Sequence, residues 1–336
     1  MKACKVIVCW FCLMLLCLYL LPLGGTASAK TYTDSVKWYY EDGLLTIKGA
    51  GYVYGGSPNV PWDKYRSRIT EIVISPGITG LANNLFSNCT QLTKVTLPDG
   101  LTEIGIGCFS GCSSLTDINF PDSLKSIDRR AFQGCSKLTS ITIPTSMRAI
   151  RSEAFAKCGA LKEVHIPSIT AWLSITFEDN TATPLFNGAD LLLDGKPVTE
   201  VTIPDGMEKV GQFAFYRCKS LTKVTLPDGI TQIAPMAFSG CGNLKSISIP
   251  SSLQLIGGDA FSDCGSLNTV IFRGHLFQAN KLKVIVDEDD PLSQANWNMP
   301  LPYLLLSNSV MWLFEFLIFA VPAAIIIIVA KKKGCY

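Results

Sequence analysis

The sequence predicts a solenoid, an elongated stack of short repeats that share one core, and two periodic patterns lead to this fold class. Prolines recur at a step of 23 residues from Pro98 to Pro167, and again from Pro204 to Pro250. Seven cysteines keep the same step, with one interruption: Cys89, Cys112, Cys135, Cys158, Cys218, Cys241 and Cys264. A fixed period in this range is typical of stacked supersecondary units, which present surfaces and seldom enclose a catalytic pocket.

Each repeat contains one segment that predicts a short strand. Residues 124–146 read L-x-x-I-x-x-x-A-F-x-G-C-x-x-L-x-x-I-x-I-P, and Leu138, Ile141 and Ile143 form the L-x-x-I-x-I strand signature of a leucine-rich repeat. The strands are expected to pair in parallel from repeat to repeat, and proline ends each one because it cannot donate to the ladder. Ala131-Phe132 and their equivalents are expected to reach inward from a short helical turn. The strand triplets recur as Leu92/Val95/Leu97, Leu115/Ile118/Phe120, Leu161/Val164/Ile166, Leu221/Val224/Leu226, Leu244/Ile247/Ile249 and Leu267/Val270/Phe272.

The repeat region is predicted to begin with a β-hairpin cap. Residues 36–40 and 44–48 flank Asp42-Gly43, which is a strong hairpin signal. Residues 30–75 are therefore assigned to the cap and the first strand, which contains Ile72-Val73-Ile74, and residues 76–272 to the repeats. A trailing cap is expected over 273–297, with a strand at 283–286.

One repeat, at 168–203, is enlarged, because the step from Pro167 to Pro204 is 37 residues. Asp194-Gly195 predicts a hairpin turn within it. An enlarged repeat is a common place for function on a repeat scaffold. The alternative is that Trp172 and Phe177 pack into the core, and the many core-type residues of this segment favour that alternative.

Both ends of the chain are predicted to serve secretion and membrane anchoring. Residues 1–29 resemble a signal peptide, with Lys2 and Lys5 before an apolar stretch and Ala27-Ser28-Ala29 as a cleavage site. Residues 310–330 contain one charge and would span about 31 Å as a helix, which is the thickness of a bilayer core. Three lysines follow, so the tail 331–336 is expected to be cytoplasmic, and residues 298–309 to form a short stalk outside. The sequence thus predicts a single-pass cell-surface protein.

Composition and cysteine placement exclude several classes of partner. The chain has 29 Lys and Arg against 27 Asp and Glu, so it has no basic field that would attract nucleic acid. A single file of cysteines cannot surround a metal ion tetrahedrally, so we expect no metal and no cofactor. We interpret the seven-cysteine column as buried thiols in the core, in preference to disulfides between neighbouring repeats.

These residues resemble the BspA-type bacterial surface leucine-rich repeats over roughly residues 35–297. The A-F-x-G-C-x-x-L motif recurs seven times, with departures that include Leu85-Phe86 and Cys108-Phe109 in place of Ala-Phe and Asn88 in place of Gly. The resemblance implies a right-handed solenoid with a curved parallel sheet. It also implies an adhesin or surface protein that binds proteins, cells or glycans. It assigns no ligand residue, because the family has no shared ligand motif.

The outward-facing strand positions are the candidate ligand-binding surface, and they form three columns. The first column, which is the predicted site, is Thr96, Asn119, Thr142, His165, Thr202, Thr225 and Ser248. The second column is Thr70, Thr93, Thr116, Thr139, Lys162, Thr199 and Thr222, and the third is Lys94, Asp117, Ser140, Glu163, Glu200 and Lys223. These hydroxyl-rich columns indicate either a ligand face or a soluble outer sheet, since Thr has high β propensity.

An enzyme is not expected. The two histidines, His165 and His275, are far apart in sequence, and the chain has no nucleophile elbow, phosphate loop or H-E-x-x-H motif. The predicted function is the display of a binding face for an extracellular protein or glycan. The alternative is a structural envelope component, or a lateral co-receptor, without a soluble ligand.

Overall fold

The computed structural model describes residues 30–33, 35–55, 60–274, 283–286, 291–298 and 326–329. The predicted signal peptide, most of the stalk, most of the membrane segment and the tail lie outside these residues. Within the described part the chain forms a leucine-rich repeat solenoid of about ten turns with parallel sheets.

The first sheet contains the predicted strands and consists of three ladders, β1-β2-β3-β5-β7, β10-β12-β14-β15 and β16-β18-β20-β22-β24. One predicted strand is missing, because residues 116–120 form none, although Leu115, Ile118 and Phe120 are buried. Asp117 and Asn119 are poor strand formers, which accounts for this break. The strands are β1 Lys30–Thr33, β2 Val36–Glu41, β3 Leu44–Gly49, β5 Glu71–Ile74, β7 Lys94–Thr96, β10 Ser140–Thr142, β12 Glu163–Ile166, β14 Asp190–Leu193, β15 Lys196–Pro197, β16 Glu200–Thr202, β18 Lys223–Thr225, β20 Ser246–Pro250, β22 Thr269–Arg273 and β24 Asn296–Asn298.

A second parallel sheet, which the sequence analysis did not predict, runs beside the first in two ladders, β4-β6-β8-β9-β11-β13 and β17-β19-β21-β23-β25. Many of its strands are two residues long, too short for an alternating pattern to reveal them. Its strands are β4 Gly51–Val53, β6 Ile78–Leu81, β8 Glu103–Ile104, β9 Ser126–Ile127, β11 Ala149–Ile150, β13 Thr176–Phe177, β17 Lys209–Val210, β19 Gln232–Ile233, β21 Leu255–Ile256, β23 Lys283–Val286 and β25 Ile326–Val329.

The return path around Ala131-Phe132 is a run of turns and not the expected helical turn. Arg130 and Gly134 have positive φ values of 58° and 76°, which prevents a continuous right-handed helix. Alternate backbone N–H groups therefore point to the next repeat, where Arg130 N, Phe132 N and Gly134 N donate to the carbonyl oxygens of residues 152, 154 and 156 at 2.8–3.1 Å. The repeats are thus joined by a third set of backbone hydrogen bonds besides the two sheets.

The core is a column of aromatic rings and aliphatic strand residues. Phe109 stacks on Phe132 and Phe132 on Phe155, with ring centroids 5.3 and 5.4 Å apart. Leu138 and Ile141 are 0% and 1% exposed beneath the first sheet. Fully burying each such side chain contributes about 1.5–3 kcal/mol, and much of this burial is against the neighbouring repeats. No single repeat could therefore be stable alone.

The predicted Asp-Gly hairpin at the start of the chain is present. Strands β2 and β3 pair antiparallel from Val36 opposite Gly49 to Glu41 opposite Leu44. Asp42 and Gly43 have φ values of 45° and 88°, as a type I′ turn requires. A 3₁₀ helix, Asp63–Arg68, follows the hairpin.

The enlarged repeat contains a short helix, Ile169–Leu173, strand β13, a 3₁₀ helix, Pro184–Asn187, and strands β14 and β15. Strands β14 and β15 form a hairpin around Asp194-Gly195, as predicted. Trp172 and Phe177 are 0% and 5% exposed, with ring centroids 5.1 Å apart. This packing supports the core interpretation of the enlarged repeat.

The end of the chain differs in part from the prediction. The strand expected at 283–286 is present as β23, and a short helix, Pro291–Gln294, follows it. Residues 326–329, inside the predicted membrane helix, form strand β25 paired in parallel with β23. Their β-branched Ile-Ile-Ile-Val sequence has a strong preference for strand. Among the residues that the structure describes, no helix is long and apolar enough to cross a bilayer.

Candidate ligand-binding face

The first column lies on the outer surface of the first sheet because strand residues alternate between core and solvent. Thr142 is exposed between Ile141 and Ile143, which are each 1% exposed. Thr142 lies opposite His165 in the parallel register, and Thr202, Thr225 and Ser248 lie opposite one another in the same way. All seven predicted residues are exposed or half-buried: Thr96, Asn119, Thr142, His165, Thr202, Thr225 and Ser248.

The register extends this column beyond the predicted residues. Tyr39, Thr46 and Val73 precede Thr96 in the same row, and Ile271 follows Ser248. Ile271 is 40% exposed and adds an apolar side chain to the column, and Asn298 of β24 lies opposite it as the next residue of the row. The 23-residue step from Ser248 could have identified Ile271 from the sequence.

The column is not continuous through the enlarged repeat. The residue opposite His165 on the next strand is Leu192, which is 6% exposed. The hairpin β14–β15 then separates this ladder from β16, where Thr202 resumes the column. The candidate face is therefore divided into a part before and a part after the enlarged repeat.

The threonines of the second column have a structural partner. The hydroxyl groups of Thr93, Thr139 and Thr222 donate to the carbonyl oxygen of the corresponding residue in the preceding repeat, at 3.0, 3.4 and 2.8 Å. These hydroxyl groups link neighbouring repeats, so the second column contributes to stability.

The side chains of the first column have a different environment. Within the described residues, the hydroxyl and amide groups of Thr96, Asn119, Thr142, Thr202, Thr225 and Ser248 make no side-chain hydrogen bond. His165 is the exception, since its Nε2 lies 3.1 Å from Oε2 of Glu163. The first column therefore presents hydrogen-bonding groups to solvent that the fold does not use.

The third column supplies charge beside these groups. Lys94 pairs with Glu71 at 2.7 Å, and Lys223 with Glu200 at 3.4 Å. Asp117 is exposed between these two pairs, and so is Glu163 beside His165. Exposed pairs of this kind contribute roughly 0–1 kcal/mol to stability, so these charges are available to orient a partner.

The cysteine column is buried, and its thiols donate hydrogen bonds. Cys112, Cys135 and Cys158 each donate from Sγ to the carbonyl oxygen of a phenylalanine in the preceding repeat at 3.2–3.3 Å. Cys241 and Cys264 do the same at 3.0 and 3.1 Å. In the enlarged repeat Asn187 replaces the cysteine, and its Nδ2 donates to Phe155 O at 2.7 Å.

All eight described cysteines are free and buried, including Cys108. Burial raises the pKa of Cys158 to about 12 and that of Cys218 to about 11. Cys89 differs, because the neighbouring Cys112 thiol and Arg66 lower its pKa, but its side chain is 0% exposed. The geometry assigns the seven-residue column Cys89, Cys112, Cys135, Cys158, Cys218, Cys241 and Cys264 to the core and not to surface thiol chemistry.

A polar groove of about 340 Å³ lies where the enlarged repeat meets the preceding repeats. Its charged groups are paired, with Arg129 on Glu178 and Arg130 on Glu153. Arg129 and the backbone N–H of Ser152 donate to Glu178 and lower its pKa to about 2. This cluster joins the enlarged repeat to the regular ones, and its hydrogen-bonding capacity is largely used within the protein.

The chain matches the family described as BspA type Leucine rich repeat region, in six copies over residues 64–183 and 192–282. These residues make up more than half of the sequence. The chain belongs to this family. Proteins with this solenoid are typically binding scaffolds, and the family suggests a role in protein interaction at the bacterial surface.

Three solved structures are similar to this BspA-type chain. A leucine-rich repeat protein from Eubacterium ventriosum has 24% identity, covering 82% of this chain and 85% of that one, with a TM-score of 0.46. A leucine rich cell surface protein from Faecalibacterium prausnitzii has 23% identity, with coverage of 77% and 98% and a TM-score of 0.32. The T. pallidum leucine rich repeat protein has 23% identity, with coverage of 71% and 90% and a TM-score of 0.37. No curated protein matches the chain.

Over the part of the chain that the structure describes, no group of three or more His, Cys, Asp or Glu is placed to hold a metal ion. Among these residues, His165 has the carboxylate of Glu163 as a neighbour and no nucleophile in hydrogen-bonding contact. The arrangement is suited to recognition by hydrogen bonding on an open sheet face.

Proposed function

We propose that this chain is a membrane-anchored cell-surface protein whose first column binds an extracellular ligand. The supporting observation is the contrast between neighbouring columns of one sheet. The second-column hydroxyl groups of Thr93, Thr139 and Thr222 bond to the scaffold, whereas those of Thr142 and Thr225 have no such bond. Hydrogen-bonding groups that the fold does not use are available to a ligand.

A protein is the ligand that we favour, since an extended row of polar side chains flanked by paired charges suits a broad contact. Specific interfaces bury about 800 Å² on each partner, which a row across several repeats can supply. Ile271 adds an apolar contact near one end. A glycan ligand is the alternative that the same surface admits.

Membrane attachment through residues 310–330 remains a prediction from the sequence. It rests on 21 residues with a single charge, Glu315, followed by Lys331, Lys332 and Lys333. Membrane fractionation of the expressed chain with and without residues 310–336 tests it. Recovery of both forms in the soluble fraction would instead favour the pairing of β25 with β23.

The binding proposal is tested with residues 30–306 as a labelled ectodomain against host cells, matrix proteins and a glycan array. The face variant is Thr142→Glu/His165→Glu/Thr225→Glu. The matched control is Thr90→Glu/Thr145→Glu/Thr176→Glu, three exposed threonines outside the first column. We expect saturable binding that the face variant loses and the control keeps.

Other outcomes have distinct meanings. Binding that survives in the face variant would contradict the assignment and transfer attention to the enlarged repeat. Absence of binding to every target would contradict the proposal and favour the structural or lateral co-receptor role.

A further inference from the structure

Most neighbouring regular repeats are linked by three sets of backbone hydrogen bonds, one in each sheet and one along the return path. All three sets stop after the enlarged repeat. In the first sheet one ladder ends at β15 and the next begins at β16, and in the second sheet one ladder ends at β13 and the next begins at β17. Among the described residues, no backbone–backbone hydrogen bond joins a residue before Val198 to a residue after it.

The enlarged repeat is attached to the repeats before it. Strand β14 pairs with β12 over four residues, and β13 pairs with β11 over two. The ion pair of Arg129 with Glu178 ties it to the same repeats. The solenoid therefore consists of a first block, the described residues up to 197, and a second block, residues 199–274.

Val198 lies between the hydrogen bonds of the two blocks. Its N–H donates to Leu191 O in the first block at 2.8 Å. Its carbonyl oxygen accepts from the hydroxyl group of Ser220 in the second block at 3.0 Å, and Thr199 O accepts from Thr222 N at 2.7 Å. The φ and ψ angles of Val198 are thus the soft backbone dihedrals that separate the two sets of bonds.

We propose that Val198 is a hinge between the two blocks, and that the solenoid bends there by opening between β13 and β17. Hinges of this kind are a few connecting residues that absorb the change in φ and ψ while the elements on either side stay intact. The direction of opening follows from which corners of the solenoid stay connected.

Two of the three corners are connected at the junction. At the first sheet the chain itself passes through Val198. At the return path, the indole N–H of Trp172 donates to Ala214 O at 2.7 Å, and Arg217 Nη1 donates to Phe186 O at 3.2 Å. At the second sheet, over the residues that the structure describes, no hydrogen bond or ion pair joins β13 to β17. Bending therefore separates these two strands and keeps the other two corners together.

The interruption at residues 116–120 shows that one broken ladder does not make a hinge. The first sheet has no strand there, but β8, β9 and β11 of the second sheet stay paired. The return path also continues, with Phe109 N donating to Ala131 O at 2.8 Å. Only where all three sets stop together are the blocks free to bend.

The hinge lies within the candidate face. It separates the part of the first column that ends at His165 from the part that begins at Thr202. Bending changes the angle between these two parts, so a ligand that contacts both would hold one angle. This consequence rests on the proposed function, whereas the hinge itself does not.

The test measures distances between pairs of spin labels by pulsed electron paramagnetic resonance, on the full chain in detergent without any ligand. Labels are attached to an encoded ketone amino acid, so that the native cysteines stay unmodified. Arg148/Gln254 and Thr79/Thr176 are pairs of exposed second-sheet positions, each separated by four steps of about 4.8 Å along one column. Only the first pair spans the junction.

We expect the distance distribution of Arg148/Gln254 to be at least about twice as wide as that of Thr79/Thr176. Arg217→Ala should widen it further, because it removes a return-path contact, whereas Lys219→Ala, at an exposed position nearby, should not. Equal widths for the two pairs in the unmodified chain would overturn the hinge, and so would a width that Arg217→Ala leaves unchanged. Since no ligand is present, the hinge and the proposed function can fail independently.

Discussion

The first and second columns of the first sheet both contain mainly threonine at a 23-residue step. The structure shows that the threonines of the two columns differ in their hydrogen bonds. In the second column, Thr93 and Thr222 direct both the backbone N–H and the side-chain hydroxyl to the same carbonyl oxygen of the preceding repeat, at 2.7–3.0 Å. In the first column, Thr142 and Thr225 leave their hydroxyl groups to solvent. A threonine row is therefore structural just before these strands begin, and its hydroxyl groups are available to a ligand at the last residue of the strands.

The difference has a simple geometric origin. A second-column threonine precedes the paired residues of its strand, and there the carbonyl oxygen of the preceding repeat lies within hydrogen-bonding distance of its hydroxyl group. Within the paired strand the carbonyl groups lie in the plane of the sheet, and the side chains stand perpendicular to it. A hydroxyl group at Thr142 therefore points away from the ladder that its own backbone joins.

The largest expected effect comes from the core beneath both columns. Leu138→Asp places an unpaired carboxylate at a position that is 0% exposed. We therefore expect the free energy of unfolding to fall by more than about 4 kcal/mol and the adjacent repeats to unfold. Thermal unfolding followed by circular dichroism measures it. The exposed neighbour provides the control as Lys137→Asp, and an unchanged melting curve for Leu138→Asp would refute the register of both columns.

A smaller effect is expected where the enlarged repeat divides the first column. The indole N–H of Trp172 donates to Ala214 O at 2.7 Å, just as that of Trp62 donates to Leu85 O at 3.0 Å. In the regular repeats the equivalent carbonyl accepts a phenylalanine N–H, for example Phe132 N to Ala154 O. At the start of each phenylalanine stack, no preceding repeat is present to donate a phenylalanine N–H. The indole N–H of a tryptophan makes this hydrogen bond instead.

Trp172→Phe keeps an aromatic ring but leaves the buried Ala214 carbonyl without this donor. We expect the free energy of unfolding, measured by chemical denaturation, to fall by about 1–3 kcal/mol. A similar decrease is expected for Trp62→Phe at the start of the repeats. An unchanged denaturation midpoint for Trp172→Phe would show that this hydrogen bond does not join the enlarged repeat to the repeat that follows it.

The smallest expected effect concerns an interaction outside both columns. The pKa of Glu178 is lowered to about 2 by Arg129 and Ser152, below its ordinary 4.5. A lowered carboxyl pKa contributes stability above about pH 4.5, and this contribution is lost as the pH falls from 4.5 towards 2.

Glu178→Gln should therefore lower the melting temperature slightly at pH 7, and the difference from the unmodified chain should vanish near pH 2. Melting curves across this pH range measure it. Asp122→Asn, on a different turn, is the control. A difference that stays constant with pH would show that the ion pair with Arg129 does not contribute.

Much of the fold was predictable because the repeat fixes the core. The positions of Leu138, Phe132 and Cys135, the two Asp-Gly hairpins and most first-sheet strands follow from period and turn chemistry. The second sheet did not follow, since strands such as Ser126–Ile127 are too short to show alternation. The run of turns at Arg130 was also missed, because a non-glycine residue with positive φ has no signal in one sequence.

The candidate site was predictable in position but not in character. Strand alternation placed Thr142 and His165 on the surface, and it placed Thr139 there equally. Which hydroxyl reaches a carbonyl of the neighbouring repeat depends on where the paired residues of each strand begin, and residue types alone did not give these bounds.

The most direct test of the central claim exchanges hydroxyl for methyl in each column separately. Thr96→Val/Thr142→Val/Thr225→Val and Thr93→Val/Thr139→Val/Thr222→Val are compared in ectodomain binding, with melting temperature measured alongside. We expect the first variant to lose binding at an unchanged melting temperature. We expect the second variant to keep binding and to lose roughly 0.5–1.5 kcal/mol of unfolding free energy for each hydrogen bond removed. Loss of binding in the second variant alone, or retention of binding in both variants, would contradict the assignment of the first column as the ligand-binding face.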